Sequence, residues 1–161
     1  NNLGLLNRVS SIFLKRHINI ESLTTSQSEI ENVNRFVIVA SMDEHQAYKI
    51  VGQLEKQIEV IKAYAHTDEE TIYQETALYK VASDSLFDER QIQNIIKESN
   101  ARIVTVNKEF FVLEKSGRRS EIELLHRELS AFGILQFTRS GRIAVTKTPM
   151  EITKMLEAFN Y

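Results

Sequence analysis

The most restrictive feature of the chain is a change of hydrophobic period within residues 1–23. Ile18 and Ile20 alternate with Asn19 and Glu21, which is the period of a strand. Before them, apolar residues recur at the spacing of a helix with one buried face, at Leu5, Leu6, Val9, Ile12 and Phe13. The chain therefore combines a helix and a strand from its first residues onward, as α+β folds do.

The rest of the first half continues this alternation. The polar run 24–34 predicts a strand end and a loop, and residues 36–40, apolar on both faces and rich in β-branched side chains, predict a central strand. Asp43 and Gln46 have the spacing of a capping box that opens a second helix. Residues 58–65 return to a strand pattern, so the order is helix, strand, strand, helix, strand.

The second half repeats this order after an acidic linker predicted at residues 67–74. Its predicted strands and helix are, in chain order, strand 75–81, helix 88–99, and strands 102–106 and 109–114. Ser116-Gly117 predicts a turn, Ser120 with Glu123 a capping box for another helix, and Gly133 its C-terminal cap. Strands follow at 134–138 and 142–146, joined by a hairpin-like Ser140-Gly141.

The second half thus has the β-α-β-β-α-β order of ferredoxin-like folds, and the first half matches it without its first strand. We predict an α+β fold of two ferredoxin-like sandwiches in tandem, at residues 1–66 and 75–147. A C-terminal helix is predicted at 148–161, because Thr148, Pro149 and Glu151 suit its first turn. We expect that helix to pack on its own domain.

Composition excludes several classes of protein. The chain has 161 residues, a net charge of −2 and no cysteine, so it lacks a basic nucleic-acid footprint, disulfides and cysteine chemistry. No apolar run approaches the roughly 20 residues that span a bilayer, and no signal peptide is visible. We expect a soluble, cytoplasmic protein with neither nucleic-acid nor membrane partners.

The residues themselves suggest one polar site, at the start of the chain. Gly4 lets the backbone approach closely at a helix N terminus, where free N–H groups attract a carboxylate, and Asn19 offers both a donor and an acceptor. A capped core helix followed by a half-buried strand is the plainer interpretation of the same residues. His66 with its acidic neighbours could hold a hard cation, although a solvated linker is simpler.

Five motifs resemble one known family. Residues 1–9 carry N-x-x-G-x-L-x-R-V, and residues 16–23 carry R-x-x-N-I-E-S-L. The others are Y-x-x-x-A-L-Y-K-V at 73–81, A-R-I-V-x-V at 101–106 and Q-F-x-R-S-G-R at 136–142. Together they resemble the small, regulatory subunit of acetolactate synthase (acetohydroxyacid synthase), and the likeness extends to about residue 147. That resemblance implies an N-terminal ACT domain, a small amino-acid-sensing module, followed by a ferredoxin-like domain.

The resemblance also implies a function. Such subunits bind the catalytic (large) subunit, raise its activity and confer feedback inhibition by branched-chain amino acids, usually valine. The chain itself is expected to be non-catalytic and to bind no cofactor or metal, because thiamine diphosphate, magnesium and FAD belong to the catalytic subunit. In the family, ACT domains pair as a homodimer with the effector between them. The resemblance implies effector-binding roles for Asn1, Gly4, Leu5, Leu6, Asn19 and Ile20.

Other functions remain open beside this one. The chain could be an ACT-type sensor of another system, or an RNA-binding ferredoxin-like module, although residues 36–39 lack the glycine and basic residue of that motif. A small hydrolase would need a convergent polar constellation, which the sequence does not show. Arginines near turns of the second half could form a contact surface for an anionic partner, at Arg118, Arg119, Arg139 and Arg142.

The first strand of the N-terminal sandwich is missing from the pattern. A ferredoxin-like sheet places that strand inside, so residues 36–40 and 58–65 would flank an empty lane with unpaired backbone groups. We therefore expect the natural protein to carry roughly ten more residues upstream, one strand and a turn. Without them, another segment should fill the lane or the N-terminal half should be loosened, most of all at the effector site.

Overall fold

The computed structural model describes residues 4–84, 90–150 and 154. Its helices are α1 Leu5–Leu14, α2 Glu44–Leu54, α3 Arg90–Glu98 and α4 Arg119–Leu129, with a 3-10 turn at Ser130–Phe132. Its strands are β1 Ile20–Gln27, β2 Asn34–Ala40, β3 Thr71–Ala82, β4 Arg102–Val106, β5 Phe110–Gly117, β6 Ile134–Arg139 and β7 Ile143–Thr146. The chain is an α+β protein that divides into two compact units, one of residues 1–72 with 144–161 and the other of residues 73–143.

The first unit is an ACT-like fold with a two-stranded antiparallel sheet. β1 pairs with β2 from Ile20 opposite Ala40 to Gln27 opposite Asn34, so the strand period predicted at residue 18 extends through the polar residues up to Gln27. The core of this unit is apolar and comes from α1, the turn after it, and α2: Val9, Phe13, Ile18 and Ile50. The predicted first helix and the strand after it are both confirmed.

The capping box predicted at the start of α2 is confirmed. Gln46 N–H donates to Asp43 Oδ1 at 2.7 Å, and Asp43 N–H donates to Gln46 Oε1 at 3.1 Å. This reciprocal pair satisfies two backbone donors that the helix itself cannot pair. The capping box is local in sequence, which explains why the pattern alone revealed it.

The strand predicted at residues 58–65 is wrong. These residues are turn and coil: Val60 N–H donates to Gln57 O, and Ala63 N–H donates to Glu55 Oε1 at 3.4 Å. In the ferredoxin-like order the last strand pairs only with the first, and no strand precedes α1 among the described residues. Without that neighbour the segment forms local bonds instead, and β2, predicted to be central, pairs only with β1 in the part of the chain that the structure describes.

The second unit has the complete ferredoxin-like sheet. Its strand order is β4-β5-β3-β6, with β3 pairing β5 from Glu75 opposite Gly117 to Ala82 opposite Phe110. Alternate residues of β3 and β5 point into the core, where Tyr79, Val81, Phe111 and Leu113 are fully buried. They pack with Ile92 of α3 and with Ile122, Leu125 and Leu129 of α4. The predicted β-α-β-β-α-β order of this half is confirmed.

The turn predicted at Ser116-Gly117 is wrong, because both residues belong to β5. The capping box predicted at Ser120 with Glu123 is also wrong, since α4 begins at Arg119 and the Glu121 carboxylate accepts the Arg118 backbone N–H at 2.7 Å. A Cβ on Gly117 would lie 2.7 Å from Glu121 Oε2. The glycine therefore leaves room for that carboxylate instead of making a turn.

Two further expectations need correction around β3. This strand begins at Thr71, so the last four residues of the predicted linker, 71–74, belong to the sheet. β6 and β7 are not a hairpin pair, because each pairs with β3. Ser140 N–H donates to Thr76 O and Lys147 N–H to Glu70 O, so the chain from β6 to β7 follows one long strand.

Only some ends of the predicted helices lie within the described residues. Gly133 terminates the 3-10 turn after α4 with a left-handed φ of 79°, as predicted. Of the predicted C-terminal helix, residues 151–153 and 155–161 lie outside the described residues, as does the start of the helix predicted at 88–99. Within the described residues no helix is both long and apolar enough to cross a bilayer.

Tyr79 couples the core of the second unit to pH. Its hydroxyl donates to Ile122 O at 2.7 Å, and burial raises the pKa of Tyr79 from 10.0 to about 12. Tyr79 ionises less readily in the folded protein than in the unfolded chain. Its neutral form therefore contributes fully to the stability of the fold below pH 10.0, and that contribution is lost as the pH rises to about 12.

We expect Tyr79→Phe to lower the free energy of unfolding by about 1 kcal/mol near neutral pH, through the lost hydrogen bond. The same variant should lose less stability than the parent above pH 10.0, because the buried phenol is gone. Urea unfolding on either side of that pH measures both effects. Tyr48→Phe, at a residue 79% exposed, is the control, and an equal alkaline loss in Tyr79→Phe and the parent would contradict the assignment.

Candidate functional site

The start of α1 is a helix N terminus without a side-chain cap. Gly4 occupies the N-cap position with a left-handed φ of 104°, and its carbonyl accepts the Arg8 N–H at 3.0 Å. In the part of the chain that the structure describes, no side chain bonds to the first-turn N–H groups, and that turn holds no acidic residue. Such an end carries partial positive charge and free donors, so it suits a carboxylate.

Leu5 and Leu6 point in different directions. Leu5 packs against the core of the first unit, together with Ile20 at the start of β1. Leu6 is 47% exposed. Two of the predicted site residues, Leu5 and Ile20, therefore meet in one apolar cluster, and Leu6 is the leucine that offers an accessible apolar surface.

Asn19 lies immediately before β1 and is exposed. Among the described residues its side chain makes no hydrogen bond, and none links it to Gly4. Its amide is therefore available for a ligand, and the ten residues of α1, about 15 Å of helix, lie between it and Gly4 in the chain. Asn1, the remaining predicted residue, lies outside the described residues.

Two residues that hold this region in place were not assigned roles by sequence reasoning. Arg8 on α1 forms an ion pair with Glu59, which follows α2. His17 has a left-handed φ of 56°, and Ile18 N–H turns back to Phe13 O at 3.1 Å, which ends the helix. The arginine stands in the motif at residues 1–9, so its position was visible, whereas a histidine at a position that glycine usually occupies gave no signal.

The other candidate centres do not form. The structure, in the residues it describes, contains no group of histidine and carboxylate side chains that could hold a metal ion. His66 Nδ1 lies 4.0 Å from the Glu70 carboxylate, which accepts the Thr67 N–H at 2.7 Å. The carboxylate thus closes a turn, and this hydrogen bond lowers the pKa of Glu70.

Two of the four arginines predicted near turns of the second half, Arg119 and Arg139, bind carboxylates of their own unit. Arg139 lies 3.2 Å from Glu75 and 3.3 Å from Glu123, and Arg119 donates to Glu123 at 2.9 Å. Hydrogen bonds from Arg119 and then from Arg139 hold the pKa of Glu123 below its ordinary value. This network ties the start of α4 to β6 and β3, so these two arginines have a structural role.

The remaining two arginines stack on Tyr73. The Arg142 guanidinium carbon lies 3.8 Å from the centre of the Tyr73 ring, and that of Arg118 lies 5.4 Å from it. Both contacts are within the range of cation–π attraction. Four residues of the Q-F-x-R-S-G-R motif contact β3. The Phe137 ring packs against Tyr79, and Arg139 forms an ion pair with Glu75. Ser140 N–H donates to Thr76 O, and Arg142 stacks on Tyr73.

Comparison with known proteins gives a consistent result along the chain. A family model described as the small subunit of acetolactate synthase matches residues 74–148, and one described as an AHAS small subunit-like ACT domain matches residues 1–62. The acetolactate synthase small subunit of Mycobacterium bovis is 34% identical over 149 residues, covering 92% of this chain and 88% of that protein. Its Bacillus subtilis counterpart is 34% identical over 148 residues, covering 91% and 86%. The crystal structure of the Thermotoga maritima acetolactate synthase small subunit has a TM-score of 0.81 at 28% identity and covers 93% of both chains.

Gly4 and Gly52 form a matched pair for testing the helix N terminus. A Cβ at either position meets no atom within 4 Å, so substitution creates no clash. We expect Gly4→Ala to lower the free energy of unfolding by about 1–2 kcal/mol, because an L-residue resists the left-handed φ. Gly52→Ala, inside α2, should instead raise it by about 0.5–1 kcal/mol. Urea unfolding of both variants followed by circular dichroism makes the comparison, and equal effects would show that the Gly4 conformation is not required.

Proposed function

The chain belongs to the family of acetolactate synthase small subunits, and we propose that it binds the catalytic subunit of that enzyme, enhances its activity and makes it sensitive to a branched-chain amino acid. The observation that carries the proposal is the match of both halves, residues 1–62 and 74–148, to the two domains of this family. The chain is a regulatory subunit. Joining pyruvate to a second keto acid would be the work of the catalytic subunit, with its thiamine diphosphate, magnesium and FAD.

The proposed effector site lies at the start of α1. An amino acid would place its carboxylate at the N-terminal N–H groups behind Gly4, where no side chain of the described residues competes. The exposed Leu6 offers apolar contact to a branched side chain such as that of valine. The free amide of Asn19 would hold a polar end of the effector.

The separation of Asn19 from Gly4 within one chain supports a site shared by two copies. In a homodimer of ACT domains, the helix N terminus of one protomer would face β1 of its partner. An effector bound across such an interface favours the paired state by its differential affinity, and this is how it would signal to the catalytic subunit.

Reconstitution tests the assignment. We expect this chain alone, supplied with pyruvate and all three cofactors, to form no acetolactate. Added to its catalytic subunit, it should co-purify, raise the rate and make that rate fall when valine is present. Acetolactate formation by the chain alone, or no change in the rate of a catalytic subunit that it does bind, would contradict the proposal.

Asn19→Ala tests the effector site. Loss of a hydrogen bond to a charged group costs about 1.5–3 kcal/mol, so the valine affinity should fall roughly ten- to a hundredfold. Asn34→Ala, at an exposed asparagine of β2, is the control and should leave the affinity unchanged. Calorimetry that gives the same valine affinity for Asn19→Ala and the parent would remove Asn19 from the site.

A further inference from the structure

A cleft lies at the C-terminal ends of α1 and α2 and takes no part in the proposed effector site. Its volume is about 520 Å³, within the roughly 300–1,000 Å³ of ordinary ligand pockets. Three cations, two carboxamides and one aliphatic side chain line it: Lys15, Arg16, Lys56, Gln53, Gln57 and Ile12. This lining carries no carboxylate. The side chains that line the cleft therefore carry three positive charges and no negative one.

The carboxylates of Glu55 and Glu59, which follow α2, form ion pairs with residues outside the cleft lining. Glu55 lies 2.6 Å from Lys62, and Glu59 forms its ion pair with Arg8. The hydrogen bond from Lys62 lowers the pKa of Glu55, so this carboxylate stays charged and paired. In the described part of the chain, Lys15, Arg16 and Lys56 have no ion-pair partner.

Helix dipoles account for only part of this charge. Cations after a helix offset the partial negative charge of its C terminus, and both α1 and α2 end at the cleft. Each end carries about half an elementary charge, so two ends offset roughly one of the three positive charges. A surplus of about two positive charges remains for a ligand.

The donors are also held in position. Arg16 Nε donates to Gln53 Oε1 at 3.1 Å, and Gln57 Nε2 donates to the Gln53 carbonyl at 3.2 Å. The first bond holds the Arg16 guanidinium at the cleft, and its two terminal nitrogens have no hydrogen-bond partner among the described residues. A guanidinium fork flanked by two lysines is a donor set that recognises phosphate oxygens.

We propose that this cleft binds a small phosphate-bearing anion of about two negative charges. The surplus charge and the guanidinium fork support this ligand class over a branched-chain amino acid, which is a zwitterion without net charge. The site lies within the first unit and is separate from the helix N terminus behind Gly4. The inference does not depend on the proposed regulation of acetolactate synthase.

Titration of the full chain with inorganic phosphate and with pyrophosphate tests the proposal. At low salt, ¹H–¹⁵N spectra should show saturable shifts at residues 15–17 and 53–57, and chloride at matched ionic strength should not reproduce them. Lys15→Ala and Lys56→Ala should each weaken pyrophosphate binding about fivefold, the effect of removing one charge about 4 Å from a solvated partner. Lys97→Ala, at a lysine in the last turn of α3, is the matched control and should change nothing.

Three outcomes would overturn the proposal. Chloride could produce the same shifts, or Lys97→Ala could weaken binding as much as the cleft variants do. Alternatively, phosphate and pyrophosphate could fail to bind while Lys15→Ala and Lys56→Ala weaken binding to the catalytic subunit. The cleft would then be a protein contact and not a small-anion site. Because the titrations contain no catalytic subunit, their failure leaves the regulatory assignment unaffected.

Discussion

Backbone pairing along β3 is the constraint on which the rest of the second unit depends. This strand pairs with β5 on one side and with β6 and β7 on the other, so one twelve-residue segment organises the sheet. Its inward residues, including Tyr79 and Val81, then have a fixed face to fill, and α3 and α4 cover that face. The ion pair of Arg139 follows from the same pairing, because β6 ends with Arg139 opposite Ala77, within 3.2 Å of Glu75 on β3.

The first unit shows the opposite case, a segment without a neighbour to pair with. Residues 58–65 have the composition of a strand, but their polar groups turn back to α2, where Glu55 holds both Lys62 and Ala63. Ile58 is 97% exposed as a result, whereas Val60 and Ile61 are half-buried. Strand propensity describes a side chain that fits a half-buried sheet, so without a sheet it has little effect.

Features that depend on residues close together in the chain could be predicted from the sequence, whereas features that depend on tertiary contacts could not. The box at Asp43 and Gln46, the cap at Gly133 and the alternation in β3 depend on residues close in the chain, and all three were predictable. Gly117 was misassigned because its purpose, room for Glu121, requires knowledge of where α4 begins. A glycine opens the first helix as predicted, but the burial of Leu5 and the exposure of Leu6 depend on the packed core. The ring contacts of Arg118 and Arg142 with Tyr73 are also tertiary and left no signal in the pattern.

In the proposed effector site, the bare start of α1 would be a compromise between the stability of the helix and the binding of a ligand. A serine or aspartate that caps a helix bonds its first N–H groups through its own oxygen, which would occupy the place that an incoming carboxylate needs. With Gly4 there, the helix forgoes that internal stabilisation. A ligand that supplies the missing acceptor would repair the defect, and its binding would stabilise the same turn that signals its presence. In the proposed site, sensitivity to the effector would thus come from a helix end left incomplete, and a side chain that capped this end would compete with the effector carboxylate.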